Sequence, residues 1–600
     1  IQGKNVCRRG GIGMAEVLFK KVDYILKKLV EDISMGEIGL PDIQRPFVWS
    51  MTQVRDLFDS MYRGFPIGYL LFWENGCSDT HRTIGTAPKQ KVARLLIVDG
   101  QQRLTSLYAV MKAVPVITKD FKSQRIKIAF HPLSEKFEVS NAAIEKDAEW
   151  IPDISILWQP DTKPHAFKRK FLEKLGKRRP LTAEEEDIIH ERIDRLIKLE
   201  EYPLTALEIS SSVDEDKVSE IFVRINSKGE ALNQANFILT LMSVFWDEGR
   251  KELEEFCRRS KAPSPDGSPS PFNHYLRPNP DQLLRVSVAL GFRRARLEHV
   301  YSLLRGKDLE TRQFSDEQRV KQFALLQEAQ AYVLDLQNWH EFFKVLKRAG
   351  YPSDQLISSQ MAVLYTYALW LIGKRDFKVD LYRLREVMAR WFFMATLTGR
   401  YTSSPEARFE QDMALLRSAN TADDFVRILD EQISAVLTKD YWEVTLPNEL
   451  ETAAARNTAQ FAYYAALCLL EARVLYSKMK VSELLDPTTK AKKTALERHH
   501  LFPRKYLQRI GVREKRLINQ VANYALVEWS DNIKISDRAP RDYVPELEKR
   551  FASDELQQMY DWHGLPSNWY ELDYEDFLKE RRRRIALIIK SGFERLVVGA

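Results

Sequence analysis

Short apolar runs alternate with helical patterns over the first 260 residues of the chain. Apolar residues at three- and four-residue spacing predict a helix over 22–29, and the capping-box spacing of Ser50 and Gln53 predicts a second helix that extends to Met61. Apolar runs bounded by glycine or polar residues predict strands over 67–73, 94–98 and 203–209, and further helices are expected over 101–112 and 214–225. This alternation indicates an α/β or α+β domain.

The pattern changes after residue 280, where nearly every segment has helical spacing. Helices are predicted over 317–348, 355–372, 381–397, 422–437 and 459–479. The segment contains no repeat of fixed period, so a helical bundle is expected rather than a solenoid.

Composition shifts mark the domain boundaries. Residues 1–13 are Gly-rich and basic and are expected to be an extension or the remnant of a tag, whereas residues 261–280 hold six prolines and are expected to be a linker or exposed loop. The sequence therefore predicts a multidomain α+β protein with an N-terminal domain over 14–260, a helical domain over 281–488 and a C-terminal domain over 489–600.

Composition and charge exclude several classes of protein. Apolar residues make up 44% and charged residues 29%, which is ordinary globular usage, and the net charge of +7 permits a polyanionic partner. The four cysteines form no CxxC pair, which argues against a zinc ribbon and fits a reducing compartment. The longest apolar run, 361–372, is shorter than the roughly 18 residues of a membrane span, and no signal-peptide pattern is seen. A cytoplasmic protein without membrane contact is expected.

Two adjacent histidines, His499 and His500, lie in a strongly basic segment. Between Lys490 and Arg516 there are ten basic and two acidic residues, a run that by itself usually indicates a solvated face. Hydrolysis of a phosphodiester needs a base to activate water and a cation to stabilise developing charge. Because neighbouring side chains on a strand point to opposite faces, one histidine can bind a metal ion while the next faces the attacking water.

The residues around this pair resemble the ββα-metal fold of HNH nucleases, which the C-terminal domain is expected to adopt with a helical surround. The resemblance rests on Glu497, His499, His500, Phe502, Pro503, Asn523 and Asn532. It implies that His499 and Asn532 bind Mg²⁺ or Mn²⁺, that His500 is the general base, and that Asn523 positions the loop; Glu497 is a supporting candidate. The alternative is that the two histidines only cap a surface turn.

A second candidate site begins at Asp99, between a predicted strand and a predicted helix. Gly100 permits a tight turn, the helix N-terminus offers N–H groups to an anion, and Arg103 is suited to a phosphate. Asp99 is suited to a cation or to activating water. The alternative is a tight strand-to-helix turn with a solvent-facing Arg103.

Four motifs in order resemble the DGQQR-domain proteins of bacterial phage defence, the GmrSD-type and SspE-like nucleases. They lie at 41–49, 64–68, 99–103 and 222–229. The resemblance implies an N-terminal domain similar to the ParB/sulfiredoxin α/β fold, followed by a helical region and an HNH domain. It also implies that Asp99, Gln102 and Arg103 hydrolyse a nucleoside triphosphate, whether GTP, ATP or another.

Further residues are candidates for nucleotide contacts or for sensing DNA. Gly100, Gln101 and Thr105 belong to the nucleotide segment.

Gln44, Arg45 and Trp49 are nominated for a pocket that recognises modified DNA or the nucleotide, with core packing as the alternative for Trp49. Arg224 and Asn226 are weaker phosphate-binding candidates, and the alternative is that they only fasten a helix end to the sheet.

The function that these motifs favour is an anti-phage, modification-dependent DNA endonuclease of the type IV restriction class, regulated by nucleoside triphosphate. Its expected partners are double-stranded DNA, either modified or from phage, and the nucleotide, and a homo-oligomer is a further candidate. Two alternatives stay open. One is a non-catalytic, nucleotide-switched DNA-binding regulator, which should bind DNA without nicking it. The other is an RNase toxin with the same metal chemistry.

Overall fold

The computed structural model divides the chain into two compact units, Ile1–Asp247 and Glu248–Ala600. The predicted domain boundaries at 260, 280 and 488 stay predictions. The structure describes residues 18–41, 47, 49–74, 81–82, 94–118, 123–211, 213, 217–218, 221, 234–308, 315–454, 456–489, 498–528, 531 and 535–598.

The N-terminal unit is built on a mixed six-stranded sheet. Its strands in spatial order are β1 (Phe19–Ile25), β10 (Pro203–Ile209), β3 (Leu70–Glu74), β5 (Leu95–Asp99), β2 (Ile38–Pro41) and β4 (His81–Arg82). β5 lies between β3, to which it is antiparallel, and β2, to which it is parallel, so Asp99 is the last residue of an interior strand. Two small hairpins complete the strands of this unit: β6 (Val116–Ile117) with β7 (Ser123–Gln124), and β8 (Ile128–His131) with β9 (Lys136–Val139).

Helices cover the sheet and supply most of the apolar core of this unit. They are α1 (Leu26–Met35), α2 (Met51–Tyr62), α3 (Gln101–Met111), α4 (Pro164–Gly176), α5 (Ala183–Ile197) and α6 (Gln234–Phe245). The capping box at Ser50 and Gln53 is present as predicted. The helix predicted over 22–29 is wrong in its first half, because residues up to Ile25 pair with β10 and the helix begins at Leu26.

The C-terminal unit is mostly helical. Helix Asp247–Arg259 spans the division between the units. The other helices of this unit are Pro280–Phe292, Leu297–Leu304, Asp316–Leu334, Leu336–Arg348, Gln360–Arg375, Leu381–Leu397, Pro405–Leu415, Ala422–Val436, Leu446–Glu449, Thr458–Leu469, Val481–Leu484, Arg504–Arg509, Lys515–Ile518, Pro540–Glu548, Ser553–His563 and Tyr574–Val598. The single helix predicted over 317–348 is two helices, because the Asp335 side chain accepts a hydrogen bond from the Gln337 N–H and caps a new helix. The helix predicted over 459–479 ends at Leu469, close to Glu471 in the left-handed region.

A small hairpin lies near the end of the chain, formed by antiparallel β11 (Arg498–His500) and β12 (Tyr524–Leu526). Phe502, Trp569 and Phe577 pack together in a buried aromatic cluster beside it. The molecule is thus a mixed α and β protein that is mostly helical, as expected in outline. Among the described residues no helix has the length and apolar character required to cross a membrane.

Candidate active site

The β11–β12 hairpin places the two histidines on opposite faces of one strand. His499 pairs with Ala525 and His500 with Tyr524 across the hairpin. The His499 side chain is buried, and its ring lies edge-on to the Tyr543 ring at 6.2 Å. His500 is only half-buried, so the strand presents one sheltered and one accessible imidazole.

His500 makes a specific polar contact outside the hairpin. Its Nε2 lies 3.0 Å from Asn519 Oδ1, which also accepts a hydrogen bond from the Tyr524 hydroxyl at 3.2 Å. Since Asn519 Oδ1 is an acceptor, Nε2 carries the proton and Nδ1 is left as the basic nitrogen. Burial lowers the pKa of His500, the hydrogen bond that its Nε2 donates to Asn519 opposes this, and the charge of Arg504 lowers the pKa further. The lowered pKa favours the neutral form of His500, which can accept a proton.

Asn523 is fully buried and links the hairpin to its surroundings. Its Oδ1 accepts from the Phe502 N–H at 2.9 Å, and its Nδ2 donates to the carbonyl oxygens of Phe502 at 3.1 Å and Ile518 at 2.9 Å. The backbone carbonyl of Asn523 also accepts from the Leu501 N–H at 2.8 Å. These bonds fix the backbone that directly follows the histidine pair.

Two residues at this site were not anticipated from the sequence, Asn519 and Arg581. Arg581 is fully buried and donates to the carbonyl oxygens of Ala522, Tyr524 and His563 at 2.6, 2.8 and 3.1 Å. It is the first of four consecutive arginines, a run that suggests a solvated turn, and Asn519 lies in a stretch without a repeating pattern. No local signal distinguishes either residue, since both act through contacts distant in sequence.

The expected metal ligands are only partly within the structure. Asn532 and Glu497 lie outside the described residues. Asp531, next to Asn532, is buried and has helical backbone, and Arg550 donates to both of its carboxylate oxygens at 3.1 and 2.9 Å. In the ranges that the structure describes, no three His, Cys, Asp or Glu side chains cluster as a metal site.

The second candidate site lies at the carboxyl end of β5, and Arg103 is its most constrained residue. Arg103 donates to the carbonyl oxygens of Ile67 at 2.6 Å and Tyr69 at 2.8 Å, and to Asp99 Oδ2 at 3.3 Å. Its side chain is 16% exposed, so it is not solvent-facing. Burial lowers the pKa of Arg103, and the charge of Asp99 opposes that effect.

The backbone around Arg103 needs glycine at two positions. Gly100 has φ +93° and a Cβ there would lie 2.4 Å from Leu70 Cδ2; Gly68 has φ +88° and a Cβ would lie 2.7 Å from Arg103 Nη1. The turn and the guanidinium therefore fit together only without a side chain at these positions.

The remaining residues of this segment differ in accessibility. Gln102 Oε1 accepts from the Trp49 N–H at 3.4 Å, which joins the two motifs, and Gln101 is half-buried. Trp49 packs partly buried against the main core. Thr105 is 9% exposed, and its contact with a nucleotide stays a prediction.

Four nominated residues cannot be placed. Gln44, Arg45, Arg224 and Asn226 lie outside the described residues, and their roles stay predictions.

Comparison with known proteins gives two matches. Residues 26–243 match the family model of the GmrSD restriction endonuclease N-terminal domain. The uncharacterized protein MJ0686 of Methanocaldococcus jannaschii is 22% identical over 546 residues, covering 87% of this chain and 86% of that protein. The first match lies within the N-terminal unit, and the second alignment is longer than either unit, so it extends over both. The N-terminal unit is therefore similar to the N-terminal domain of GmrSD restriction endonucleases.

Proposed function

We propose that this protein is a metal-dependent DNA endonuclease of the restriction type, with its nuclease site on the β11–β12 hairpin and a nucleotide-binding segment at Asp99–Arg103. The observation that supports it most is the arrangement of His499, His500 and Asn523. One imidazole is buried and one accessible on the same strand, and Asn523 hydrogen-bonds both backbone polar groups of Phe502.

The residues of the hairpin divide the chemistry between them. His500, held through Nε2 by Asn519, accepts the proton of the attacking water at Nδ1. His499 and Asn532 would hold Mg²⁺ or Mn²⁺, which when bound supplies charge to stabilise the scissile phosphate and the leaving oxygen. Asn523 and Arg581 keep the strand in place, so that the two imidazoles keep their relative orientation.

Two strands followed by helical residues agree with the order expected of a ββα-metal fold. β11 and β12 are antiparallel, and Asp531 and Ile535 have helical backbone. Asp531, the residue before Asn532 in the sequence, forms an ion pair with Arg550. These contacts favour an intact site over a degenerate one.

The N-terminal segment is proposed to bind and hydrolyse a nucleoside triphosphate and thereby to regulate cleavage. Within the described residues, Arg103 uses three of its N–H groups on Ile67, Tyr69 and Asp99, which leaves Nε and one Nη1 hydrogen for a phosphate. A ligand that binds two states of the enzyme with different affinity shifts the balance between them. Recognition of modified DNA by the same unit belongs to this proposal.

The nuclease proposal is tested by cleavage of plasmid DNA. Purified wild type, His500→Ala and His299→Ala are incubated with Mg²⁺ or Mn²⁺, and nicked and linear products are quantified. Loss of the general base should reduce the rate by at least about 100-fold. His299 is an exposed histidine on helix Leu297–Leu304, so its variant should cleave as wild type does. Undiminished cleavage by His500→Ala would remove this residue from the mechanism.

Substrate choice separates the alternatives. A wild-type protein that binds DNA but nicks none with either metal is the non-catalytic regulator, and preferential cleavage of tRNA identifies an RNase. Unmodified, glucosylated-hydroxymethylcytosine and phosphorothioate DNA, each with and without ATP or GTP, show whether a modification is sensed.

The nucleotide proposal needs its own pair of variants. Arg103→Ala should abolish hydrolysis of ATP and GTP, whereas Arg63→Ala should not, since Arg63 is exposed and pairs with Asp59 at the end of α2. Release of inorganic phosphate is measured. Full hydrolysis by Arg103→Ala contradicts the assignment.

A further inference from the structure

We infer that five exposed cations beside the hairpin form the surface that holds the phosphate backbone of duplex DNA. This basic patch consists of Arg504, Lys505, Arg513, Lys515 and Arg516. The inference rests on the proposed function for the chemistry of the hairpin and adds the surface that presents DNA to it.

The chain path ties the basic patch to His500 from two sides. Helix Arg504–Arg509 begins four residues after His500, and helix Lys515–Ile518 ends directly before Asn519, whose Oδ1 contacts His500 Nε2. Leu507 and Ile518 are buried and fix both helices to the core. Four of the five cations, Arg504, Lys505, Lys515 and Arg516, therefore lie on two anchored helices that flank the His500 contact, and Arg513 lies two residues before the second helix.

The charges of the basic patch are not neutralised by neighbours. In the part of the chain that the structure describes, no ion pair joins any of its five cations to an acidic side chain. Glu514 is the one acidic residue between Pro503 and Gln520. Arg509, on the same helix as Arg504, pairs instead with Asp537, and Arg538 pairs with Glu546. A polyanion can thus bind the basic patch without first breaking ion pairs.

The proposed nuclease site beside the basic patch favours duplex DNA as the polyanion that binds there. The basic patch borders the accessible histidine of the nuclease hairpin, and the N-terminal unit is similar to that of restriction endonucleases. Phosphate contacts by Lys and Arg release counterions, so affinity falls as salt rises. Each contact makes the negative slope of log affinity against log salt concentration steeper by about 0.9. The number of contacts is therefore measurable.

The test compares charge removal in two places on the full-length protein. One triple variant carries Arg513→Gln, Lys515→Gln and Arg516→Gln. The control triple carries Arg541→Gln, Lys549→Gln and Lys579→Gln, which removes the same charge from exposed positions of the same unit. A double variant, Arg504→Gln with Lys505→Gln, probes the first helix. Binding to fluorescein-labelled duplex DNA is followed by anisotropy in EDTA, which prevents cleavage, across a salt series.

The first triple variant should bind DNA at least about tenfold more weakly, and its salt slope should fall by about 3, because each lost phosphate contact reduces the slope by about 1. The double variant should show a smaller loss, and the control triple should bind as wild type does. Three results would overturn the inference. The first is equal affinity and salt slope in wild type and both patch variants, and the second is an equal loss of binding in the control triple. The third is a loss of binding that is confined to duplex RNA.

The two proposals fail in different ways. If wild type cleaves plasmid DNA while the first triple binds DNA normally, the surface is wrong and the nuclease stands. If wild type cleaves nothing while the first triple loses DNA binding, the nuclease is wrong and the surface stands.

Discussion

Arg581 Nη1 donates to the carbonyl oxygen of Ala522 at 2.6 Å, and the same nitrogen donates to the carbonyl of Tyr524 at 2.8 Å. One buried guanidinium thus bonds the backbone on both sides of Asn523. Arg581 lies on helix Tyr574–Val598, which packs against helix Thr458–Leu469. The two helices approach so closely that a Cβ added at Gly592 of the first would lie 2.5 Å from Ala466 Cβ of the second. A fixed helix therefore positions the hairpin through Arg581.

Replacement of Arg581 by lysine should impair the hairpin more than the fold. An ammonium keeps the charge but cannot reach three carbonyl oxygens in the geometry of a guanidinium. We expect kcat for DNA cleavage to fall at least about tenfold with little change in KM, because a shift of about 1 Å at a site can cost a large rate factor. Hydrogen exchange should increase in peptides covering residues 520–526. Arg583→Lys is the matched control, since that arginine is 72% exposed on the same helix. A change in KM alone, or unchanged exchange, would show that Arg581 has no positioning role.

Substitution of Asn523 should be strongly destabilising. In Asn523→Ala the Phe502 N–H and the carbonyl oxygens of Phe502 and Ile518 stay buried but lose their hydrogen-bond partner. Each unpaired group costs about 1 to 3 kcal/mol of stability. Asn523→Asp should be worse at neutral pH, because a carboxylate would face the carbonyl oxygens of Phe502 and Ile518. Urea unfolding measures both. Asn448→Ala, at an exposed position, should unfold as wild type does, and an Asp variant as stable as wild type would contradict the contacts described here.

His563 should make the C-terminal unit sensitive to acid. It is fully buried, its Nε2 donates to the Arg473 carbonyl at 2.9 Å, and burial lowers its pKa from 6.5 to about 4. Because the folded pKa is below the unfolded one, the stabilisation is fully present above pH of about 6.5 and is lost as pH falls toward about 4. The full loss is on the order of 3 kcal/mol.

The acid effect of His563 is isolated by comparing variants at each pH. The free energy of unfolding of wild type should fall more steeply between pH of about 7 and about 5 than that of His563→Gln, which retains a donor but does not titrate. His299→Gln should follow wild type, because His299 is exposed. Parallel pH curves for wild type and His563→Gln would show that other groups dominate.

A methyl group at Gly100 should disturb the nucleotide segment. Alanine there is strained at φ +93° and meets the buried Leu70 side chain, whereas at Gly64, with φ +75°, it meets nothing within 4 Å. Gly64→Ala should therefore cost about 1 kcal/mol from backbone strain alone, and Gly100→Ala should cost more and also reduce nucleotide hydrolysis. Thermal unfolding and phosphate release test this pair. Equal stability of the two variants would mean that Leu70 yields without cost.

The local elements of this protein were determined by the sequence. Ser50 and Gln53 form the capping box that starts α2, and the helix predicted over 381–397 is present with the same bounds. Gly100 ends the strand at Asp99, as expected from its position between apolar run and helix pattern. Caps, periodic apolar positions and glycine turns act between residues a few positions apart, so the sequence alone reveals them.

Only the tertiary structure decided how distant segments meet. Residues 22–25, the first half of the helix predicted over 22–29, form a strand instead, because β10 offers them a hydrogen-bonding partner about 180 positions away, as in the pair Val22 with Ala206. Arg103 bonds the carbonyls of Ile67 and Tyr69 although its motif is suited to binding phosphate. Arg581 bonds those of Ala522 and Tyr524 although its run of arginines suggests a solvated turn. A guanidinium bonds whichever acceptors the folded chain brings to it, and no local pattern encodes that choice.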